Sequence, residues 1–262
     1  MRVNLILFEP DEIDHPFSPE DPRIRHLKGI LGREQGQEFD AGLINGPRGK
    51  GWIEAETTEE VIVGFRPLEV PPSLPPLHLA VGACRPQTVR KVLLQATTLG
   101  VRSVHFFASS RSEQGYLESR VYRPDQVRPY LIEGAQQAFC TRLPDTAVHE
   151  SFEECLEALS ETRGIALDNY EAQGPLHTYP FDGKESSSVP PLSLWIGSER
   201  GWSAPEREAF RFGNIALRGL GPRVLRTETA VVAGITLCLA GMGWWNQLSS
   251  ESLTSSGGVI PQ

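Results

Sequence analysis

Lysine is scarce in this chain. Four of its 25 cationic side chains are lysine and the rest are arginine. The four cysteines, Cys84, Cys140, Cys155 and Cys238, include no C-x-x-C pair. That scatter argues against a zinc ribbon or a disulfide framework, and no metal is expected. No run approaches the roughly 18 consecutive apolar residues of a transmembrane helix, so no membrane partner is expected. No signal peptide is expected either, because the apolar run Val3–Phe8 has only a buried strand's length. The expected location is the cytoplasm. No G-x-x-x-x-G-K-[ST] run occurs, and no G-x-G-x-x-G follows a first strand, which disfavours a P-loop nucleotidase and an ordinary dinucleotide enzyme. Positive charge is short as well. The net charge of −8 on its face speaks against a nucleic-acid partner, whose phosphates are met by Lys and Arg.

What is present is an ordinary globular composition, 39% hydrophobic and 22% charged, well away from the disordered class. A length of 262 residues fits one large domain or two modest ones. The charge is unevenly spread: −6 over residues 1–72, +5 over 73–130, −8 over 131–192 and +1 over 193–262. In the basic segment only Lys91 is not arginine. The guanidinium fork suits phosphate oxygens, although a general preference for Arg over Lys would leave the same trace.

The segment Val70–Pro76, V-P-P-S-L-P-P, carries four prolines in seven residues and reads as a stiff linker. Before it, short strand-like runs at Val3–Phe8, Glu38–Ile44, Gly51–Glu56 and Glu60–Pro67 predict a small β-rich domain over 1–70, with one helix at Pro22–Leu31. After it, strands are expected at Leu77–Gly82, Val101–Phe107, Gly164–Asp168, Leu192–Gly197 and Asn214–Leu217. Helices are expected at Pro86–Leu99, Pro124–Phe139, Phe152–Glu161, Pro205–Phe212 and Thr227–Gly241. This alternation predicts an α/β domain with a parallel sheet over 77–247. The Ser- and Gly-rich stretch 248–262 reads as a disordered tail.

Two loops stand out. Trp195–Glu206, W-I-G-S-E-R-G-W-S-A-P-E, leaves a strand, turns between Gly197 and Gly201 and enters a helix with Ser203 as N-cap. Both glycines permit positive φ and close approach to a ligand, and ligands of open α/β sheets sit at the C-terminal strand ends. A tight strand-to-helix turn without a ligand reads equally well. The second loop, Leu217–Ala230, packs Gly219, Gly221, Arg218, Arg223, Arg226 and Glu228 ahead of an apolar helix, with Thr227 as the expected N-cap.

At these loops the sequence resembles the RsmE family of 16S rRNA uridine N3-methyltransferases, of the SPOUT class. L-G-P-R-V-L-R-T-E-T-A at 220–230 matches the family signature without departure, and I-G-S-E-R-G-W-S-A-P-E stands where the family has I-G-P-E-G-G-x-S-x-x-E. Weaker agreement lies at His26-Leu27, Ile30-Leu31, Gly36, Leu99-Gly100-Val101 and Ser110-Arg111-Ser112, so that the likeness spans roughly 1–247.

The resemblance implies an N-terminal PUA-like RNA-binding barrel, a C-terminal domain with a trefoil knot, a homodimer, and S-adenosylmethionine as methyl donor. It places the cofactor at Leu167, Ile196, Gly197, Glu199, Gly201, Leu217, Leu220, Gly221 and Leu225. Arg226 and Arg223 are implied as anchors of the uracil or its phosphate, and Glu228 and Glu199 as base or as orienting groups. Plain core packing is the alternative for the leucines, and a dipole-facing first-turn residue for Glu228. RNA contacts are implied at Arg23, Arg25, His26, Arg33, Arg85 and Arg111, with rRNA of the small subunit as partner. Departures from the family pattern fall at Gly32, Thr88, Gln95, Thr98, Cys140, Ser198 and Arg200. Two other readings stay open: a SPOUT methyltransferase with another RNA target, and a non-catalytic RNA-binding assembly factor.

Overall fold

The computed structural model describes residues 5–181 and 191–245. The expected tail at 248–262, and Val3 and Asn4 of the first expected strand, lie outside the described residues. The strands are β1 Ile6–Phe8, β2 Glu38–Leu43, β3 Arg48–Glu56, β4 Val61–Glu69, β5 Leu77–Gly82, β6 Ser103–Phe107, β7 Asp145–His149, β8 Arg163–Leu167, β9 Leu192–Ile196 and β10 Ala216–Arg218. The helices are α1 Pro22–Arg25, α2 Pro86–Leu99, α3 Pro124–Gln137, α4 Phe152–Ala158, α5 Ala204–Phe212 and α6 Thr227–Gly241. None is long and apolar enough to cross a membrane.

The chain forms two compact units. The first takes Met1–Leu74 together with Leu93–Thr98 and Arg123–Pro144. Its sheet runs β1-β2-β3-β4, with β1 parallel to β2 and the other pairs antiparallel. Inward-facing Phe8, Phe39, Ile53 and Val63 close over Ile24 and Leu27. The expected helix at Pro22–Leu31 splits in two. Asp21 caps α1 by accepting the Arg23 amide, and the chain then makes one π-helical turn, His26–Ile30. There the Leu31 amide reaches back five residues to the His26 carbonyl.

The second unit takes Pro75–Val92, Leu99–Tyr122 and Asp145–Gln262. Its sheet is entirely parallel, in the order β10-β8-β9-β5-β6-β7. Central β9, LSLWI, is buried at every position, as a strand covered on both faces must be. One cover is aromatic. Phe107, Phe152, Trp195, Trp202 and Phe210 form a cluster in which Trp202 meets Phe210 edge-on at 4.7 Å, a geometry that adds about 0.5–1.5 kcal/mol beyond area burial.

Two elements differ from expectation. Strand β7 carries no strong hydrophobic alternation, because it is the sheet edge and its Val148 stays 46% exposed. Strand β10 starts at Ala216 instead of Asn214, since Asn214 takes φ +53 in the turn that ends α5. Register pairs Leu167 with both Ile196 and Arg218, so the C-terminal ends of β8, β9 and β10 come together.

Candidate functional site

Those strand ends open onto a cavity of about 700 Å³ within the second unit. Four segments line it: Arg85, Gln87, Thr88 and Lys91 from the start of α2; Leu167–Asn169 after β8; Ile196–Glu199 and Gly201 after β9; and Leu220 with Val224–Glu228 and Ala230 leading into α6. The two glycine loops singled out in the sequence are thus walls of one space.

The loop after β9 has its shape for steric reasons. Gly201 holds φ +68 and donates its amide to the Ser198 carbonyl at 2.9 Å. Gly197 does not adopt positive φ, contrary to expectation. It is needed because a Cβ there would meet the Gly201 backbone at 3.0 Å. The loop ends in a full capping box: Ser203 Oγ accepts the Glu206 amide, and Glu206 Oε2 accepts the Ser203 amide at 2.7 Å. The other Glu206 oxygen accepts Ser109 Oγ–H at 2.8 Å and the Ser110 amide at 3.0 Å, tying in the loop after β6.

The loop after β8 is fixed by a buried ion pair. Arg207 of α5 donates through Nε to Asp168 Oδ2, and the Tyr170 amide donates to Asp168 Oδ1 at 2.7 Å. Burial pushes the Asp168 carboxyl up, but hydrogen bonds from Arg207 and Tyr170 and the guanidinium charge outweigh it, leaving the carboxyl below its usual range. Trp202 Nε1 donates to the Leu167 carbonyl at 2.7 Å, joining this loop to the next.

Glu199, Arg85, Lys91 and Glu228 of the cavity are hydrogen-bonded. Glu199 Oε1 accepts the Arg85 amide at 3.0 Å, and Arg85 Nε donates to Tyr116 Oη at 3.3 Å. Lys91 Nζ donates to Glu228 Oε1 at 3.0 Å. Glu228 is held below the usual carboxylate range, first by its own backbone amide in the opening turn of α6 and then by Lys91. Ser198 Oγ is buried and has no hydrogen-bond partner. A polar atom so placed beside a cavity is available to a water or to a ligand group.

Leu167, Ile196, Gly197, Glu199, Gly201, Leu220, Leu225, Arg226 and Glu228 therefore lie together around one cavity. Three others do not line the cavity. Leu217 is 1% exposed in the aromatic cluster, because the strand pleat turns it away. Gly221 and Arg223 lie in the exposed outer part of their loop, where Gly221 takes φ +110. Thr227 is not the N-cap of α6. Arg226 holds that position with no side-chain cap bond, and Thr227 is the first helical residue. Arg200 pairs with Glu113 at 3.4 Å instead of facing the cavity or Glu199.

Of the residues implied in RNA contact, Arg85 lines the cavity rim, and Arg111 donates to the Arg200 carbonyl at 3.2 Å. Arg33 is exposed, and Arg25 is exposed 3.8 Å from Glu20. His26 opens the π-helical turn. Arg23 is committed internally. It bonds both Glu12 and Asp21 and stands 5.1 Å from the ring centroids of Phe8 and Phe17. The sequence reading missed Gln87, Asp168, Asn169 and Val224. For Asp168 and Asn169 a signal existed, since both directly follow a strand's C-terminal end.

Three comparisons bear on this arrangement. Residues 71–239 match the RNA methyltransferase domain family. A Treponema pallidum protein named ribosomal RNA small subunit methyltransferase E is 32% identical over 249 residues, covering 94% of each chain. Among solved structures, a small subunit methyltransferase E from Neisseria gonorrhoeae bound to S-adenosylmethionine superposes with a TM-score of 0.70 at 16% identity, covering 91% of this chain and 98% of that one. A Legionella pneumophila protein carrying the same bound cofactor superposes with 0.72 at 22% identity, covering 92% and 98%. At those identities the structures speak to the fold. The sequence match, running nearly end to end and through both glycine loops, makes this chain a member of the ribosomal RNA small subunit methyltransferase E family.

Proposed function

We propose that the protein transfers a methyl group from S-adenosylmethionine to N3 of a uridine in 16S rRNA. One observation carries the reading: a single cavity bounded by both glycine loops, with an unpartnered buried hydroxyl on one wall and Arg85, Lys91 and Arg226 on its rim. The residues present fit the cofactor. Ile196, Leu220 and Leu225 offer an apolar slot for an adenine ring, and Ser198 Oγ a free polar contact. Glu199 and Glu228 supply negative charge opposite a sulfonium and an ammonium. When bound, S-adenosylmethionine supplies an electrophilic methyl group that needs no metal.

The chain's own residues have three tasks. Arg226, exposed at the N-cap of α6 and free of any capping bond, holds a uracil oxygen and stabilises charge there as the N3 proton leaves. Lys91, oriented by Glu228, provides a second cation. Glu228 acts as a positioning residue instead of the base, because its carboxylate already binds its own amide and Lys91 and has reduced proton affinity. Glu199 stands nearest to a free acceptor, with one oxygen on the Arg85 amide.

The same reading includes a trefoil knot in the second unit and a PUA-like RNA-binding role for the first, acting as a homodimer in the cytoplasm. Insertion of β9 between the earlier strands β8 and β5 is compatible with a knotted path. The test is transfer of labelled methyl from S-adenosylmethionine to small-subunit rRNA, with the product nucleoside identified by mass spectrometry. N3-methyluridine is the expected product. A different methylated nucleoside redirects the target, and absence of cofactor binding by calorimetry leaves an RNA-binding assembly factor.

A further inference from the structure

The second unit carries a polar chain far from any role in the cavity. His78 on β5 and Ser103 on β6 are register partners. His78 Nδ1 lies 2.7 Å from Ser103 Oγ, which lies 2.8 Å from His105 Nε2. His105 Nδ1 lies 2.9 Å from His149 Nε2 at the end of β7, and with the His105 proton on Nε2 toward Ser103 it is an acceptor. The two imidazoles are nearly coplanar, at 8° with centroids 5.3 Å apart. Above them α4 delivers Cys155, whose sulfur and the two ring nitrogens all lie within 4.8 Å of one another. Cys155 is fully buried, while His149 is half-buried and opens the cluster to solvent. None of these residues lines the cavity of the proposed methyl transfer.

We propose that His105, His149 and Cys155 form a binding site for one zinc ion. The donor set is two imidazoles and one thiolate, a set zinc takes in tetrahedral geometry with its fourth position open to water. Zinc lies about 2.0–2.1 Å from nitrogen and about 2.3 Å from sulfur. Ligand atoms about 3.3–3.6 Å apart satisfy those lengths. The 2.9 Å contact between the imidazoles opens by a few tenths of an ångström, both rings turn about their side-chain torsions so that their nitrogen lone pairs converge, and the sulfur moves in by side-chain rotation. Protons balance simply. The Cys155 thiol loses one to solvent, as a coordinating thiol does, and His149 moves its proton from Nε2 to Nδ1. His105 keeps Nε2–H on Ser103, the outer-shell hydrogen bond that orients a metal-bound imidazole. The other nearby charge, Glu154, is turned to the Glu150 amide at 2.7 Å and is not a ligand. Bound zinc would pin edge strand β7 and α4 to β6.

The full chain, stripped with chelator and dialysed, is titrated with zinc(II) by calorimetry, and retained metal is counted by elemental mass spectrometry. One zinc per chain is expected, lost in His149→Ala and in Cys155→Ala and weakened about 10–100-fold in Ser103→Ala. Cobalt(II) in its place should show thiolate-to-metal absorption that vanishes in Cys155→Ala. His149→Ala changes a half-buried strand end, so it decides the matter even if a Cys155 variant fails to fold. No zinc retained by the wild-type chain, or equal retention in His149→Ala, overturns the proposal. S-adenosylmethionine binding, measured on the same samples, is expected to be unchanged.

Discussion

Asp168 has a side chain 1% exposed, and its partner Arg207 one that is 8% exposed. Breaking such a pair from one side leaves a buried charge uncompensated, which costs up to about 3–5 kcal/mol. Glu171, 3.8 Å from Arg207, softens the loss, so Asp168→Asn is expected at the lower end of that range. The effect has a pH signature. Because the folded pKa of Asp168 is lowered, the pair's contribution is full above the unfolded carboxylate value of about 3.9. It disappears as pH falls through the folded value. The stability gap between wild type and Asp168→Asn, from denaturant unfolding, should be constant from pH 7 to 5 and close in more acidic solution. A gap independent of pH would mean that Asp168 stabilises by packing alone. Arg226 is the opposite kind of residue: exposed, uncapped and on the cavity rim. Arg226→Ala is therefore expected to leave unfolding within about 0.5 kcal/mol of wild type while lowering methyl transfer by about 10²–10³-fold. Near-normal turnover would remove it from the mechanism.

At the scale of elements, one carboxylate does two structural jobs. Glu206 closes the capping box of α5 and accepts two hydrogen bonds from Ser109 and Ser110 beyond β6. Glu206→Ala removes the reciprocal half of the capping box and strands the buried Ser109 hydroxyl, at about 1–3 kcal/mol, while the Ser110 and Ser203 amides each lose a part-buried bond of about 0.5–1.5 kcal/mol. In a chain of this size each kcal/mol moves the melting temperature by about 2–4 °C, so a drop of at least about 5 °C by calorimetric scan is expected. A smaller shift would mean that water replaces the carboxylate. The cap itself was legible in S-A-P-E, and helices α2 and α6 were legible end to end. Their turn chemistry is local, and so is the run of apolar residues in β5 and β9. The tie to Ser109 was not legible, because it joins residues 97 apart in sequence. Edge strand β7 escaped for a related reason: an edge needs little hydrophobicity, so its sequence carries little pattern. The cavity's glycine loops could be read from their residues. Of the contribution of α2 only Arg85 is marked, by the resemblance; Lys91 looks like any solvated helix face until the fold brings it to Glu228.

At the scale of the whole molecule, the net charge of −8 no longer weighs simply against RNA. The local surplus is also smaller than a count of arginines implies. Arg85 is bonded to Tyr116, Lys91 to Glu228, Arg111 to a backbone carbonyl, and Arg128 to Glu9. Arg23 is held by Glu12 and Asp21. Arg85 and Arg111 keep their charge on neutral acceptors, but Arg23, Lys91 and Arg128 are offset by carboxylates, so binding to naked RNA should be weak and only mildly salt-sensitive. Two to four phosphate contacts on single-stranded RNA give a slope of log K against log salt of about −1.4 to −2.8. Fluorescence anisotropy of a uridine-containing rRNA fragment across a salt series is expected to return a slope in that range. Binding to assembled small subunits should be tighter, with a similar slope, since shape and fixed geometry then contribute what charge does not. A slope beyond about −5 would require seven or more phosphate contacts. The ion pairs of Arg23, Lys91 and Arg128 would then have to open on binding, and recognition would be electrostatic after all.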